Sequence, residues 1–593
     1  MKLYITDLGA IGDGVTSNTA IINEAIERVH AAGGGQVIVP PGIYLTGSII
    51  LKNNVHLYLE SGSKIYGSGD AAEYQNSSLI FGDHLENVGV EGYGIVEINQ
   101  TFHYDDDVDT RPYVISLEYC TNVSIRDVAF YNQGGDFVTL FKMCENLTID
   151  GIVIESRGCD NGDGIDFWGS KNVSISNCKI NANDDGISLK TGANEPCINF
   201  MITNCVITAA WGGIRIGPES WGDICNITVS NCVINDTSDA LHIQHVTECQ
   251  MENITFSNLV LVDTCRALCM TYSPQVKYQT REDQFHGKMR RMRFDNIICK
   301  NGRSNKEMRF HEEQMVIQGM PGAPIEDLSF SNMKFVCSGG GVVDKKNGIL
   351  VPEHCLYENF YPEFLPHGLN YGDQGNHHPS ACMYINHVNK IRFSNCTFDT
   401  VTADERPAIL ANDVHDIKLL MCSTNVEAGL MRYYDTDGVA VYGTEGSVEP
   451  VSDEMAKQCD EFKAFTKDNI DNVVNSERYK KELGSMDHVL SVPHQEGRDI
   501  TVPSFMYHHA EAVEKTYLNL GNLKGSPKVM INGKEAFFWD RGNCPAYNYG
   551  RVPLVIDISD AIEVGDNEIE ILLEGASRQF RSPTFDVYTS AKQ

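Results

Sequence analysis

Three aspartates stand at the heads of two short apolar runs, Asp163 in NGDGIDF (161–167) and Asp184–Asp185 in NANDDGISLK (181–190). A carboxyl group can give up a proton, accept one, or hold a hard cation such as Ca2+, and an Asp-Gly pair can also simply build a turn. Whether these three carboxyls meet in space decides among those readings. That depends on the elements that carry them.

The surrounding chain is repetitive, and a fixed period is the first thing to look for. The phrase Asn-apolar-x-apolar begins at Asn122, Asn146, Asn172, Asn199, Asn226 and Asn253, at intervals of 24, 26, 27, 27 and 27 residues. Each copy runs on into a second short segment (SNCKIN, TNCVIT, SNCVIN) and a third (DGISLK, GGIRIG, DALHIQ). Alternation at period two, broken by Asn, Gly and Asp, marks strands rather than helices. Three short strands in each repeat of this size predict a right-handed parallel β-helix, in which every coil buries its inward side chains against its neighbours. Asn suits a repeated corner because it tolerates left-handed backbone and its amides can bond one another along the stack. The N-x-S/T matches are by-products of the same repeat and not glycosylation sites.

Aligning coils on the third segment sets Gly164, Gly186 and Gly213 level, so Asp163 and Asp185 share one corner on adjacent coils, with Asp184 beside them. Adjacent coils lie about 4.8 Å apart. Carboxylates that close repel, and a bare scaffold would place Asn, Ser or Gly there. Their clustering points to acid–base chemistry, because crowded carboxylates hold one another's protons at different strengths.

Before the coils, Ile21, Ile22, Ala25, Ile26 and Val29 form a helical stripe, capped by Ser17 or Asn18 and ended by Gly33–Gly35. Such a helix would plug the open end of a solenoid. Further coils appear at 389–398 and 415–424, while 302–380, with His377 and His378, breaks the period as a long loop walling a groove. The fold class is therefore all-β, with a β-helix over 1–445 (cap and first strands within 1–50), a charged helical linker over 446–490, and a C-terminal β-sandwich over 491–593 read from alternating strands joined by NG and GDN turns. That last segment resembles the jelly-roll modules of many carbohydrate-active enzymes, α-L-rhamnosidases among them.

A net charge of −33, from 80 acidic and 47 basic residues, argues against nucleic acid or an anionic membrane as partner. No run of about eighteen apolar residues predicts a membrane span. The start of the chain shows no basic-then-apolar leader, and the 19 cysteines recur in SNC and TNC phrases that suit core packing. Reduced thiols and a cytoplasmic location are the expectation.

The ordered phrases NGDGID, NDDGISLKTG and GGIRIG, on successive coils, resemble those of glycoside hydrolase family 28, the polygalacturonase family, and GAIGDGVTSNTAIINEAI resembles its N-terminal opening. The resemblance spans residues 1–440 or so and implies a β-helical glycosidase that inverts the anomeric centre in one step. It implies Asp184 as general acid, with Asp163 and Asp185 activating water, and needs no cofactor or metal. Two departures stand out. The family's Gly-His-Gly phrase meets WGG here, so its histidine falls on Gly212, and its Arg-Ile-Lys meets LHIQ, with His242 and Gln244 in place of the basic pair. Without that pair the charge-assisted grip on a uronate is lost. An oligosaccharide substrate other than plain polygalacturonan is expected, cleaved by exo action, with Trp211, Arg215, Glu219, His242, Gln244 and His245 as candidate substrate-binding residues. A lyase or epimerase using Lys190 as base, or a non-catalytic glycan-binding protein, are the alternatives. The sequence is silent on oligomeric state.

Overall fold

Each coil turns where an asparagine adopts left-handed backbone. Asn146, Asn172, Asn199, Asn226 and Asn253 have φ between 56° and 62°, a conformation Asn tolerates better than most residues. Their amides bond in series: Asn172 Nδ2 donates to Asn146 Oδ1 (3.1 Å), Asn199 to Asn172 (2.9 Å), Asn226 to Asn199 (3.1 Å) and Asn253 to Asn226 (3.1 Å). The ladder also runs down to Asn54 through Asn122 and Asn87. The computed structural model describes residues 1–98, 111–159, 161–192, 195–245, 249–272, 287–301, 314–319, 323–341, 380–453, 456, 488–491, 500–509, 513–520, 526–538, 555–574 and 584–591. His377, His378 and most of the helical linker lie outside these residues.

The strands from Lys2 to Pro450 join in one continuous network of parallel pairings, the right-handed β-helix read from the repeat. Five strands carry the candidate site: β1 (Ile165–Trp168), β2 (Ile187–Thr191), β3 (Gly212–Ser220), β4 (Val233–His245) and β5 (Gln250–Tyr272). They stack in register, Ile165 on Ile187, Ile187 on Ile214, Ile214 on Leu241 and Leu241 on Leu268. Those residues and Phe167, Leu189, Ile216, Ile243 and Met270 belong to one apolar core that runs the length of the helix. By strand alternation the intervening Asp166, Ser188, Arg215, His242 and Cys269 face away from it. Between Leu189 and Thr191 the register of β2 on β3 shifts, so that Thr191 meets Ser220 and the Pro218–Glu219 segment is extra. Higher in the stack Phe256, Phe294, Phe330 and Phe393 pile face to face at 4.6–5.1 Å. Each such pair adds about 0.5–1.5 kcal/mol beyond the area it buries.

The first end of the solenoid is closed by a helix, Thr19–Ala31, which buries Ile22, Ala25, Ile26 and Val29. Ile21 is only partly buried against that core. Asn18 occupies the cap position but makes no capping bond; its amide instead ties Ile11 and Thr16 together. The described cysteines are all thiols, and all but Cys225 are buried. Among the described residues no helix is long and apolar enough to cross a membrane.

Among the described residues beyond the coils are two four-stranded antiparallel sheets. One orders His488–Ser491, Thr584–Ala591, Val513–Asn519 and Val555–Asp557; the other orders Ile500–His509, Gly565–Glu574, Ser526–Ile531 and Lys534–Phe538. Antiparallel strands are what the alternating segments there predict; that the two sheets pack as one sandwich stays a proposal.

Candidate active site

The column of corner residues just before the core-facing positions reads Asp163, Asp185, Gly212, Asp239, Arg266 on five successive coils, Gly212 pairing with Asp239 and Asp239 with Arg266. Backbone rungs fix the lower part: Gly164 N–H donates to Asp185 O (2.8 Å) and Gly186 N–H to Gly212 O (2.7 Å). Neither glycine of the two DG phrases has positive φ, so a left-handed backbone is not what calls for glycine there. A Cβ on Gly164 would lie 2.4 Å from Gly186 O, and one on Gly186 would lie 2.7 Å from Gly213 O. Close stacking of coils requires them, which leaves the aspartates beside them to be explained by something other than a turn.

The aspartates converge. Asp163 and Asp185 are buried and Asp184 is half-buried, its carbonyl accepting from Trp211 N–H (3.2 Å). Asp185 Oδ1 accepts the Gly212 N–H (2.8 Å) while its Oδ2 lies 3.8 Å from Arg215 Nε. Lys190 Nζ bonds Asp163 Oδ2 (2.9 Å) and Asp166 Oδ1 (2.8 Å), and sits 4.5 Å above the Phe137 ring. Burial, then the charges of Asp163 and Asp185, pushes Asp184 well above the usual carboxylate range. Burial raises Asp185 to about 6 against the pull of Arg215, and raises Asp163 against the pull of Lys190. One group is thus inclined to hold a proton and two are held beside cations, the division of labour an acid and a base need.

The six candidate substrate residues do not share one place. Arg215 lies directly under His242, and its Nη2 donates to Gln244 Oε1 (2.6 Å). Trp211 is half-buried at the head of β3, and Glu219 is half-buried in the extra segment, near enough to strengthen Lys190's hold on its proton. His242 and Gln244 are outward-facing yet fully buried. His242 is 3.1 Å from Asp239, and burial together with Arg215 pushes it down to about 4, so it is neutral. His245 is set apart: its Nε2 meets Cys249 O at 2.8 Å and its ring stands edge-on to Tyr272.

Three charged residues of this region escape a reading confined to the DG corners. Asp166 follows from alternation, being one step outward from Ile165 in GID. Asp239 and Arg266 follow from aligning SDALHIQ with CRALCMT, which stacks Arg266 on Asp239. There Arg266 Nε bonds Asp239 Oδ1 (2.5 Å) and Nη2 bonds Oδ2 (2.9 Å), with both residues buried. Arg266 and His242 hold Asp239 well below the usual range, against its burial. Asp239, His242 and Cys269 offer ligand atoms within 4.8 Å of one another. A cation placed among them would face the Arg266 guanidinium, so this trio fits an ion pair better than a metal. Asp239→Ala would strand a buried arginine. We expect a loss of about 3–5 kcal/mol, read from the urea midpoint, and an unchanged midpoint would show that Arg266 does not depend on Asp239.

The family model "Glycosyl hydrolases family 28" matches residues 35–352, more than half of the 593-residue chain. The chain belongs to glycosyl hydrolase family 28. Among curated relatives of this family 28 chain, a protein of Vitis vinifera named "Probable polygalacturonase" is 31% identical over 219 residues, 32% of this chain and 44% of that one. An "Exo-poly-alpha-D-galacturonosidase" of Dickeya chrysanthemi is 24% identical over 255 residues, 32% of this chain and 42% of that one. The chain thus spans less than half the length of these relatives. Among solved structures, an exopolygalacturonase from Thermotoga maritima superposes with a TM-score of 0.49 at 22% identity, covering 57% of this chain and 87% of that one.

Proposed function

We propose that this family 28 chain hydrolyses a glycosidic bond of an oligosaccharide with inversion, acting from a chain end on a sugar other than plain polygalacturonan. The observation that carries the reading is the half-buried, proton-holding Asp184 beside Asp163 and Asp185, which are each held against a cation. Asp184 gives its proton to the leaving glycosidic oxygen. Asp163 and Asp185 take the proton of a water attacking the opposite face of the ring. Asp185 is aimed by the Gly212 N–H, and Asp163 by Lys190. Exo action is supported by the relative from Dickeya chrysanthemi, whose name describes it.

The case for a neutral sugar rests on the cations. Lys190 faces Asp163 and Asp166, Arg215 faces Asp185 and Gln244, and Arg266 is locked on Asp239. A substrate carboxylate would compete with an internal aspartate for any of them, and Asp184 adds repulsion. Lys190 is also a poor base for a lyase: its two ion pairs hold its proton well above the usual lysine range despite burial. Four clustered carboxylates are equally hard to reconcile with a purely glycan-binding scaffold.

The test is a screen of neutral and uronate oligosaccharides with proton NMR of the first-formed anomer. Inverted product from a neutral oligosaccharide, absent with Asp184→Asn, is the expected result. A retained anomer would overturn the mechanism, and faster cleavage of polygalacturonan than of every neutral glycan would overturn the substrate reading.

A further inference from the structure

Arg215 is bonded to a neutral amide and stands off the carboxylate beside it. Its Nη2 donates to Gln244 Oε1 at 2.6 Å, while its Nε is 3.8 Å from Asp185 Oδ2, beyond a hydrogen bond. The side chains of Arg215 and Asp185 are 4% and 8% exposed, so water screens these charges little. A buried guanidinium beside a carboxylate gains most by closing on it, because hydrogen bonds between charged partners are the strong ones. Gln244 is placed to prevent that. On β4 His242 lies directly over Arg215, and Gln244 is the next outward position along the strand. A guanidinium accepts no hydrogen bond, so the amide must turn its oxygen to Arg215. Its Nε2 is thereby left buried without a hydrogen-bond partner. An apolar side chain would fill this fully buried place without that cost, so the amide is explained by what its oxygen holds.

We propose that Gln244 is a positioning residue that tethers Arg215 and holds the guanidinium off Asp185, leaving that carboxylate able to take a proton from water. This rests on the reading of Asp185 as a base given above. In contact, Arg215 would keep Asp185 ionised and make it a weak base, since an opposite charge at contact distance favours the ionised form. At 3.8 Å the same charge is felt, but burial still outweighs it and Asp185 stays above the ordinary aspartate value. The other charged groups acting on this pair are Asp163 and Asp166 from the coil below, and Asp184 and Lys190 on the coil of Asp185. Above Arg215, His242 is neutral and Asp239 is spent on Arg266. An uncharged substitution of Gln244 leaves all of these in place, so a shift at Asp185 reports the movement of Arg215.

Gln244→Met removes the acceptor, keeps the length of the side chain and adds no charge. In the full chain the acidic limb of the kcat/KM–pH profile should move to lower pH by about one unit, with kcat lowered several-fold and KM little changed. Gln244→Leu carries the same expectations should Gln244→Met fail to fold. Gln244→Glu keeps an oxygen for Nη2 at the same reach, and there the limb must stay at or above its wild-type position. A limb that stays or rises in Gln244→Met overturns the tether, as does one that falls in Gln244→Glu. A raised KM with an unmoved limb would make Gln244 a substrate contact instead. Carboxyl-carbon NMR titration of Asp185 in the same variants needs no substrate. It must show the Asp185 midpoint falling in Gln244→Met and not in Gln244→Glu, and any other pattern overturns the proposal. Full turnover by Asp185→Asn would overturn the reading of Asp185 as a base, while the titration still decides whether Gln244 holds Arg215 off it.

Discussion

Asp184→Asn should cost about 10²–10⁴-fold in kcat and, at neutral pH, should raise rather than lower the melting temperature. The same split is expected for Asp185→Asn, and its cause is the burial that suits these groups for catalysis. A carboxylate driven upward in the folded state is easier to keep there protonated than ionised, so folding stability from such a group is full below its unfolded pKa and is lost as pH rises through the folded value. For Asp185 that window runs from the ordinary aspartate value of 3.8 to about 6. A shift of that size corresponds to about 3 kcal/mol of destabilisation at pH 7. Asn removes the charge and the penalty with it. Melting curves between pH 4 and pH 7.5 should therefore find Asp185→Asn and wild type together at the acid end and separating as pH rises, the variant melting higher. Carboxylates with depressed values, such as Asp150 and Glu91, work in the opposite direction at lower pH and are common to both proteins. If the variants melted lower than wild type at pH 7, the aspartates would be holding the coils together, and the case for a functional cluster would fail with them.

Much of this arrangement is legible in the order of residues. The repeat reveals the coils, and levelling Gly164 with Gly186 places Asp163 and Asp185 on one corner although only 22 residues separate them, fewer than the 27 of the coils that follow. Alternation then says which side chains face out. It does not say which outward positions lie open. His242 and Gln244 hold the places where a sugar-gripping pair would stand, yet both are fully buried, and alternation carries no signal of that burial. Charge pairing is half legible. SDALHIQ and CRALCMT align residue for residue, so Asp239 and Arg266 must be neighbours. That Arg266 turns both donors onto that carboxylate depends on the side-chain conformations. The cap shows the same limit: Asn18 sits where the pattern puts it, but its amide serves the chain entering the helix and not the helix itself.

Gly212 is where sequence and geometry disagree most usefully. Counting along WGG puts the family's histidine at this position, but a Cβ here would lie 2.6 Å from Asp185 Oδ1, so no side chain fits while Asp185 keeps its place. The glycine leaves a notch in the column between Asp185 and Asp239, and Asp185 folds into it to accept the Gly212 N–H at 2.8 Å. Gly212→Ala should therefore separate activity from stability. Its φ is not positive, so alanine meets no backbone strain, and the atom it strikes is the end of a movable side chain. We expect a melting temperature near that of wild type and a fall in kcat of about 10²-fold, because a base displaced by about an ångström no longer aligns its water. The acidic limb of the pH profile should shift as well, since the displaced carboxylate loses the N–H that favours its ionised form. Circular dichroism melts beside steady-state kinetics make the comparison. If alanine unfolded the coils, Gly212 would be a packing residue only; if it left kcat intact, the contact with Asp185 would have no part in catalysis.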